Sequence, residues 1–206
     1  MSHLYWEEHE MTNYLSEDFT EEFMKRLNEK EIYLLGAECG AGKTTAILEK
    51  LLPFVEKNHQ QLLYACNRVA LKDQLLNKYK KEIIKEEGIV RQNDNLTLGM
   101  YQAITNALIK GTEVIYDETY HYIVLDEAHL IYDAADYDFN AYMFLEFINK
   151  LDTIIIMMSG TPESVKKLQP YLKKNLKVLR EPDKENNPIR NIYLVEDNNV
   201  FEELCQ

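Results

Sequence analysis

The chain has 206 residues, 46% of them apolar, enough for one substantial α/β domain or two small ones with a real core. A formal net charge of −12, from 23 basic and 35 acidic residues, argues against a surface built to coat nucleic acid, though a local basic groove is compatible with it. No run approaches the ~20 apolar residues of a membrane span, the first ten residues are polar and acidic rather than a signal sequence, and Cys39, Cys66 and Cys205 lack metal-like spacing, which fits free thiols in a reducing cytoplasm.

Residues 1–19 show no clear period and are read as a leader. Thr20 then suits the N-cap of an amphipathic helix over 20–30, with acids in its first turn and bases later. A short apolar strand follows at 31–35, then a glycine-rich turn at 36–42 and a helix over 43–57 that Pro53 bends or ends. Strands are expected at 61–66 and 95–98, with a long helix over 68–87 between them. A helix over 101–110 stops at Gly111, and a four-residue apolar run at 122–125 is a strand buried on both faces. The pattern continues with a helix at 138–150, a strand at 153–158, and a helix that Pro162 opens and that runs to about 174. Strands at 176–179 and 191–195 flank a charged, proline-containing linker. Strand, loop and helix alternate throughout, which predicts an α/β fold: a mainly parallel sheet with helices on both faces.

Two stretches carry chemistry. The first is Ala37-Glu38-Cys39-Gly40-Ala41-Gly42-Lys43-Thr44-Thr45, a strand-to-helix loop built like a phosphate cradle. Glycine at 40 and 42 lets the backbone curl around an anion. Lys43 reaches for the β- and γ-phosphates, and the Thr44 hydroxyl for Mg²⁺. The chain departs from the strict pattern at Ala37, where that pattern has glycine. The second stretch is Asp126-Glu127, two carboxylates that follow the apolar run 122–125 and so sit where a buried strand ends. Asp126 is the expected Mg²⁺ holder, directly or through water, and Glu127 the group that orients and deprotonates an attacking water. The pair predicts Mg²⁺-dependent nucleotide binding and hydrolysis, with ATP the default nucleotide.

With these residues in hand, the chain resembles the DEAH-box proteins of helicase superfamily two. Asp126-Glu127-Ala128-His129 matches their box letter for letter, and other pieces follow in the family's order. Ala65-Cys66-Asn67-Arg68 is similar to motif Ia, Thr97 to Gln102 looks like motif Ib, and Ser159-Gly160-Thr161 resembles motif III. The resemblance implies a three-layer RecA-like P-loop lobe over 20–180, with 181–206 a linker and possible start of a second lobe. It implies catalytic roles for Glu127, Lys43 and His129, and coupling through Ser159, Gly160 and Thr161. Contacts to single-stranded DNA or RNA would come from Asn67, Arg68, Thr97 and Gln102. Tyr101 either stacks on a base or packs in the core, the commoner fate of tyrosine. Family members use a second RecA-like lobe that contributes arginine fingers. None of the five arginines here falls in a matching pattern. This predicts weak activity alone. On the residues themselves, a packaging or AAA-type ATPase and a non-hydrolysing nucleotide-binding module stay open.

Overall fold

The computed structural model describes residues 15–37, 40–66, 84–86, 89–93, 95–111, 120–135 and 139–180. Most of the leader, Glu38, Cys39, Asn67, Arg68, most of the 68–87 helix and everything after residue 180 lie outside them. Eight strands form one sheet: β1 (Glu31–Gly36), β2 (Leu62–Cys66), β3 (Ile84–Glu86), β4 (Ile89–Asn93), β5 (Leu96–Met100), β6 (Tyr122–Leu125), β7 (Ile154–Ser159) and β8 (Asn175–Arg180). Their order is β3-β4-β5-β2-β6-β7-β1-β8. The six strands from β5 to β8 pair in parallel, and β3 and β4 extend the β5 edge antiparallel. The expected mainly parallel α/β sheet is therefore present.

The central strands are near-continuous apolar runs because both faces are covered. Alternation then sorts their side chains. Tyr33, Leu35, Tyr64, Val124 and Met158 belong to one core with Ala46, Ile47 and Leu51 of the helix that follows β1. Ile32, Leu34, Leu63, Ile123 and Met157 belong to the other, with Ile104, Phe144 and Val165 of later helices. Helix, sheet and helix make three layers.

Several elements differ from expectation for identifiable reasons. Thr20 does cap a helix, accepting from the Phe23 N–H at 3.2 Å. That helix, Glu21–Arg26, stops short of residue 30 because Leu27 turns extended and buries itself in the core. The helix after the glycine-rich loop runs unbroken through Lys43–Ala46, Ile47–Leu51 and Leu52–Lys57. It passes Pro53 by widening into a π turn, with the Leu52 N–H bonded to the Ile47 carbonyl. Gly111 ends the helix Tyr101–Lys110 at φ +68°, as expected. The helix opened by Pro162 ends at Lys166, and a 3₁₀ turn, Gln169–Tyr171, carries Pro170 instead. At the far end of the 68–87 helix, Ile84–Glu86 is a strand, which corrects that boundary. Leu15 and Phe19, read as leader, are buried at 1% and 3% exposure and belong to the domain core. A short helix, His129–Ala135, follows β6. Among the described residues no helix is long and apolar enough to cross a membrane.

Candidate active site

β1 delivers the glycine-rich loop to the carboxyl edge of the sheet. Its last residues leave the strand at Ala37, whose N–H donates to the Ser159 carbonyl at 3.1 Å, while the Ala37 carbonyl accepts from Lys43 Nζ at 2.6 Å. Lys43 is thereby folded back over its own loop, only 9% exposed. Gly40 and Gly42 adopt φ +86° and +79°, the left-handed region that only glycine enters without strain. Gly42 is the helix N-cap and brings no side chain to cover the first turn. The positive end of the Lys43–Lys57 helix is thus aimed at the loop, a geometry suited to phosphate. The Leu15 N–H donates to the Ala41 carbonyl at 3.2 Å, tying the loop to the segment before it.

β6 delivers the two carboxylates. The Asp126 N–H donates to the Ala65 carbonyl at 2.9 Å, continuing the ladder with β2. The Asp126 carbonyl accepts from the Tyr101 hydroxyl at 2.8 Å. Asp126 is 7% exposed, and burial pushes the pKa of its carboxyl up. The Tyr64 hydroxyl pulls it down, the neighbouring Glu127 charge raises it again, and Lys43 lowers it. Lys43 and Asp126, 83 residues apart in the chain, therefore act on each other across the site. Glu127 has φ +53°, a left-handed conformation that is costly for a residue with a side chain. In extended backbone, Asp126 and Glu127 would face opposite ways. The left-handed turn brings Glu127 round beside β7, with the Ala128 N–H donating to the Met158 carbonyl at 2.9 Å.

A polar relay runs from there to the loop. His129 Nδ1 lies 3.4 Å from Glu127 Oε2 and 3.0 Å from Ser159 Oγ. Ser159 Oγ accepts from the Thr161 N–H at 2.9 Å and lies 3.3 Å from Thr161 Oγ1. Because the Ser159 carbonyl holds the Ala37 N–H, the end of β7 touches both the carboxylate turn and the glycine-rich loop.

Residues 7–164, most of the chain, match the family described as type III restriction enzyme, res subunit. The chain belongs to this family. No curated protein matches it. The res-subunit family is one of superfamily two helicase-like ATPase domains, with the P-loop RecA-like fold seen here, and such domains bind ATP and nucleic acid and typically use Mg²⁺.

Within this res-subunit domain, the structure gathers Ala37, Gly40 to Thr44, Asp126, Glu127, His129 and the Ser159–Thr161 turn at one sheet edge. Thr45 is exposed in the first turn of the loop helix. Gln102 is exposed in the first turn after β5. Thr97 is the second residue of β5 and is 2% exposed, buried within the sheet. Tyr101 packs, its ring edge-on to Phe144 at 5.0 Å between centroids, and its hydroxyl bound to the Asp126 carbonyl keeps it there. Sequence reading missed one polar group at the site, the Tyr64 hydroxyl. The available signal was a lone tyrosine inside the apolar run of β2, where a phenol must find something to face.

Proposed function

We propose that this domain is the Mg·ATP-hydrolysing first lobe of a DEAH-box nucleic-acid-dependent ATPase, coupling hydrolysis to movement on or unwinding of DNA or RNA together with a second RecA-like lobe. The observation that carries the reading is the meeting of Lys43, Asp126 and Glu127 at one edge, with Glu127 turned toward His129 and Ser159 by a left-handed backbone.

Lys43 exchanges the Ala37 carbonyl for phosphate oxygens, and the loop from Ala37 to Thr45 surrounds them with backbone N–H groups. The Thr44 hydroxyl and the Asp126 carboxylate are hard oxygen donors that suit Mg²⁺, which keeps several waters and accepts few protein ligands. The buried Asp126 carboxylate and the Tyr64 hydroxyl beside it, which makes no well-formed hydrogen bond to a described group, fit a cation's water shell. Bound there, Mg²⁺ supplies charge neutralisation along the phosphates. Glu127 orients a water for in-line attack on the γ-phosphorus and takes its proton, as the bond from that phosphorus to the bridging oxygen breaks. His129 and Ser159 hold the Glu127 carboxylate in position. Thr161 and Gly160 sit where a change around the γ-phosphate moves the end of β7. Asn67, Arg68 and Gln102 offer donors to a nucleic acid backbone, which positions the strand without reading its sequence. Of the five arginines, Arg26 is the one whose side chain is described, and it stands exposed on the helix Glu21–Arg26. The second lobe supplies the arginine fingers, so turnover by the single domain is slow.

Two variants test this. Lys43→Ala abolishes binding of a fluorescent ATP analogue. Glu127→Gln retains binding and loses ~10²- to 10⁴-fold in phosphate release, the usual worth of a general base. An unaltered affinity in Lys43→Ala sinks the proposal.

A further inference from the structure

Tyr64 stands at the proposed site, and no step of the proposed reaction uses it. The residue lies in the middle of β2, fully buried, and its hydroxyl makes no well-formed hydrogen bond to a described group, although the Asp126 carboxyl and the Thr44 hydroxyl are near enough to interact with it. Its ring belongs to the core beneath the loop helix, where phenylalanine would fill nearly the same volume. A buried hydroxyl left unpaired costs stability, so packing alone favours phenylalanine there.

The register shows what the hydroxyl faces. Tyr64 pairs with Val124 on β6, and Asp126 follows two residues later, on the same side of the sheet. The loop helix covers that side, with Thr44 in its first turn. Phenol, carboxylate and threonine hydroxyl thus converge from three elements, and Tyr64 interacts with both of the others. Lys43 approaches the same carboxylate from the loop, and Glu127 lies on its other side.

We propose that the Tyr64 hydroxyl is a positioning group of the Thr44–Asp126 cation site, orienting the Asp126 carboxylate and the water shell around it. This rests on the nucleotide site proposed above. The hydroxyl makes no well-formed hydrogen bond to the described groups because the waters it serves arrive with the cation and the phosphates.

Tyr64→Phe in the full chain tests this with two measurements. Thermal unfolding without Mg²⁺ or nucleotide is expected to show a Tm equal to or above that of the parent, since a buried hydroxyl without a well-formed hydrogen bond is removed. Binding of a fluorescent ATP analogue, titrated with Mg²⁺, is expected to need ~3- to 10-fold more Mg²⁺, the scale of one hydrogen bond. Binding in EDTA is expected to be unchanged. A lower Tm with a parental Mg²⁺ requirement makes Tyr64 a structural residue and overturns the inference. If the parent itself shows no Mg²⁺-dependent nucleotide binding, the nucleotide site fails and Tyr64's role fails with it. A parent that binds normally beside an unaltered variant rejects Tyr64's role alone.

Discussion

Glu127 occupies a backbone conformation that most residues avoid. At φ +53° its Cβ crowds the carbonyl, a cost of ~1 kcal/mol or more for any residue except glycine. The fold sustains that cost because the conformation sets two consecutive carboxylates on the same edge. This separates the strain from the chemistry in an unusual order of stabilities. Glu127→Ala keeps the strain and loses the carboxylate. Glu127→Gly loses both. Glycine is therefore expected to be the more stable variant by ~1 kcal/mol in urea unfolding, the reverse of its effect in a helix or strand. Both variants are expected to lose phosphate release to a similar degree. A glycine variant less stable than the alanine variant contradicts the assignment of strain. Nothing in the letters Asp-Glu-Ala-His announces a left-handed residue. The sequence does show that two adjacent carboxylates end a buried strand and so must turn, and the turn was the part that needed coordinates.

The helix Tyr101–Lys110 owes its position to a missing side chain. A Cβ on Gly99 of β5 would fall 2.8 Å from Ile104 Cγ1 and 2.9 Å from its Cδ1, in a core where Ile104 is fully buried and stiff at its branch. Gly99→Ala is expected to cost ~1–3 kcal/mol, the range for overpacking. In an Ile104→Ala background the same substitution is expected to cost less, and chemical denaturation of the four proteins in the cycle measures the difference. Equal costs in both backgrounds mean the two residues do not collide. That helix also holds Tyr101 against the Asp126 carbonyl, so its placement bears on the carboxylate turn. The elements that position the site were the most legible ones: β1, β2, β6 and β7 are unmixed apolar runs, and Thr20 and Gly111 mark helix ends with their own chemistry. β3 and β4 were not legible. Their residues, Ile-Lys-Glu and Ile-Val-Arg-Gln-Asn, are as charged as a solvated helix; β3 is the edge of the sheet, where charge protects against further pairing, and β4 lies between it and β5. Thr97 falls inside the strand expected at 95–98, and its register with Leu63 and Arg91 buries it in the sheet, which the motif resemblance by itself did not show.

The candidate site draws on four stretches of chain: 37–45, Tyr64, 126–129 and 159–161. They meet because β2, β6, β7 and β1 are consecutive in the parallel sheet and all end at the same edge. A ligand bound there joins loops from strands that carry both cores, so it acts on the cooperative unit of the fold and not on one loop. Binding to the folded state alone stabilises it by ~2.7 kcal/mol when the ligand is at a hundred times its Kd. For a domain of this size that corresponds to a rise in Tm of roughly 5–10 °C. Mg·ATP at that excess is therefore expected to shift the whole unfolding transition upward without splitting it. Among the described residues no group of three or more His, Cys, Asp and Glu gathers to hold a metal. Mg²⁺ without nucleotide is accordingly expected to shift Tm little, since Thr44 and Asp126 need the phosphates to complete its shell. The shift should vanish in Lys43→Ala, whose parent lysine is already inside the loop and bonded to Ala37. Scanning calorimetry on the parent and this variant, each with and without Mg·ATP, makes the comparison. A parent with no shift at saturating Mg·ATP, or a Lys43→Ala variant with the full shift, means the four stretches do not act as one nucleotide site.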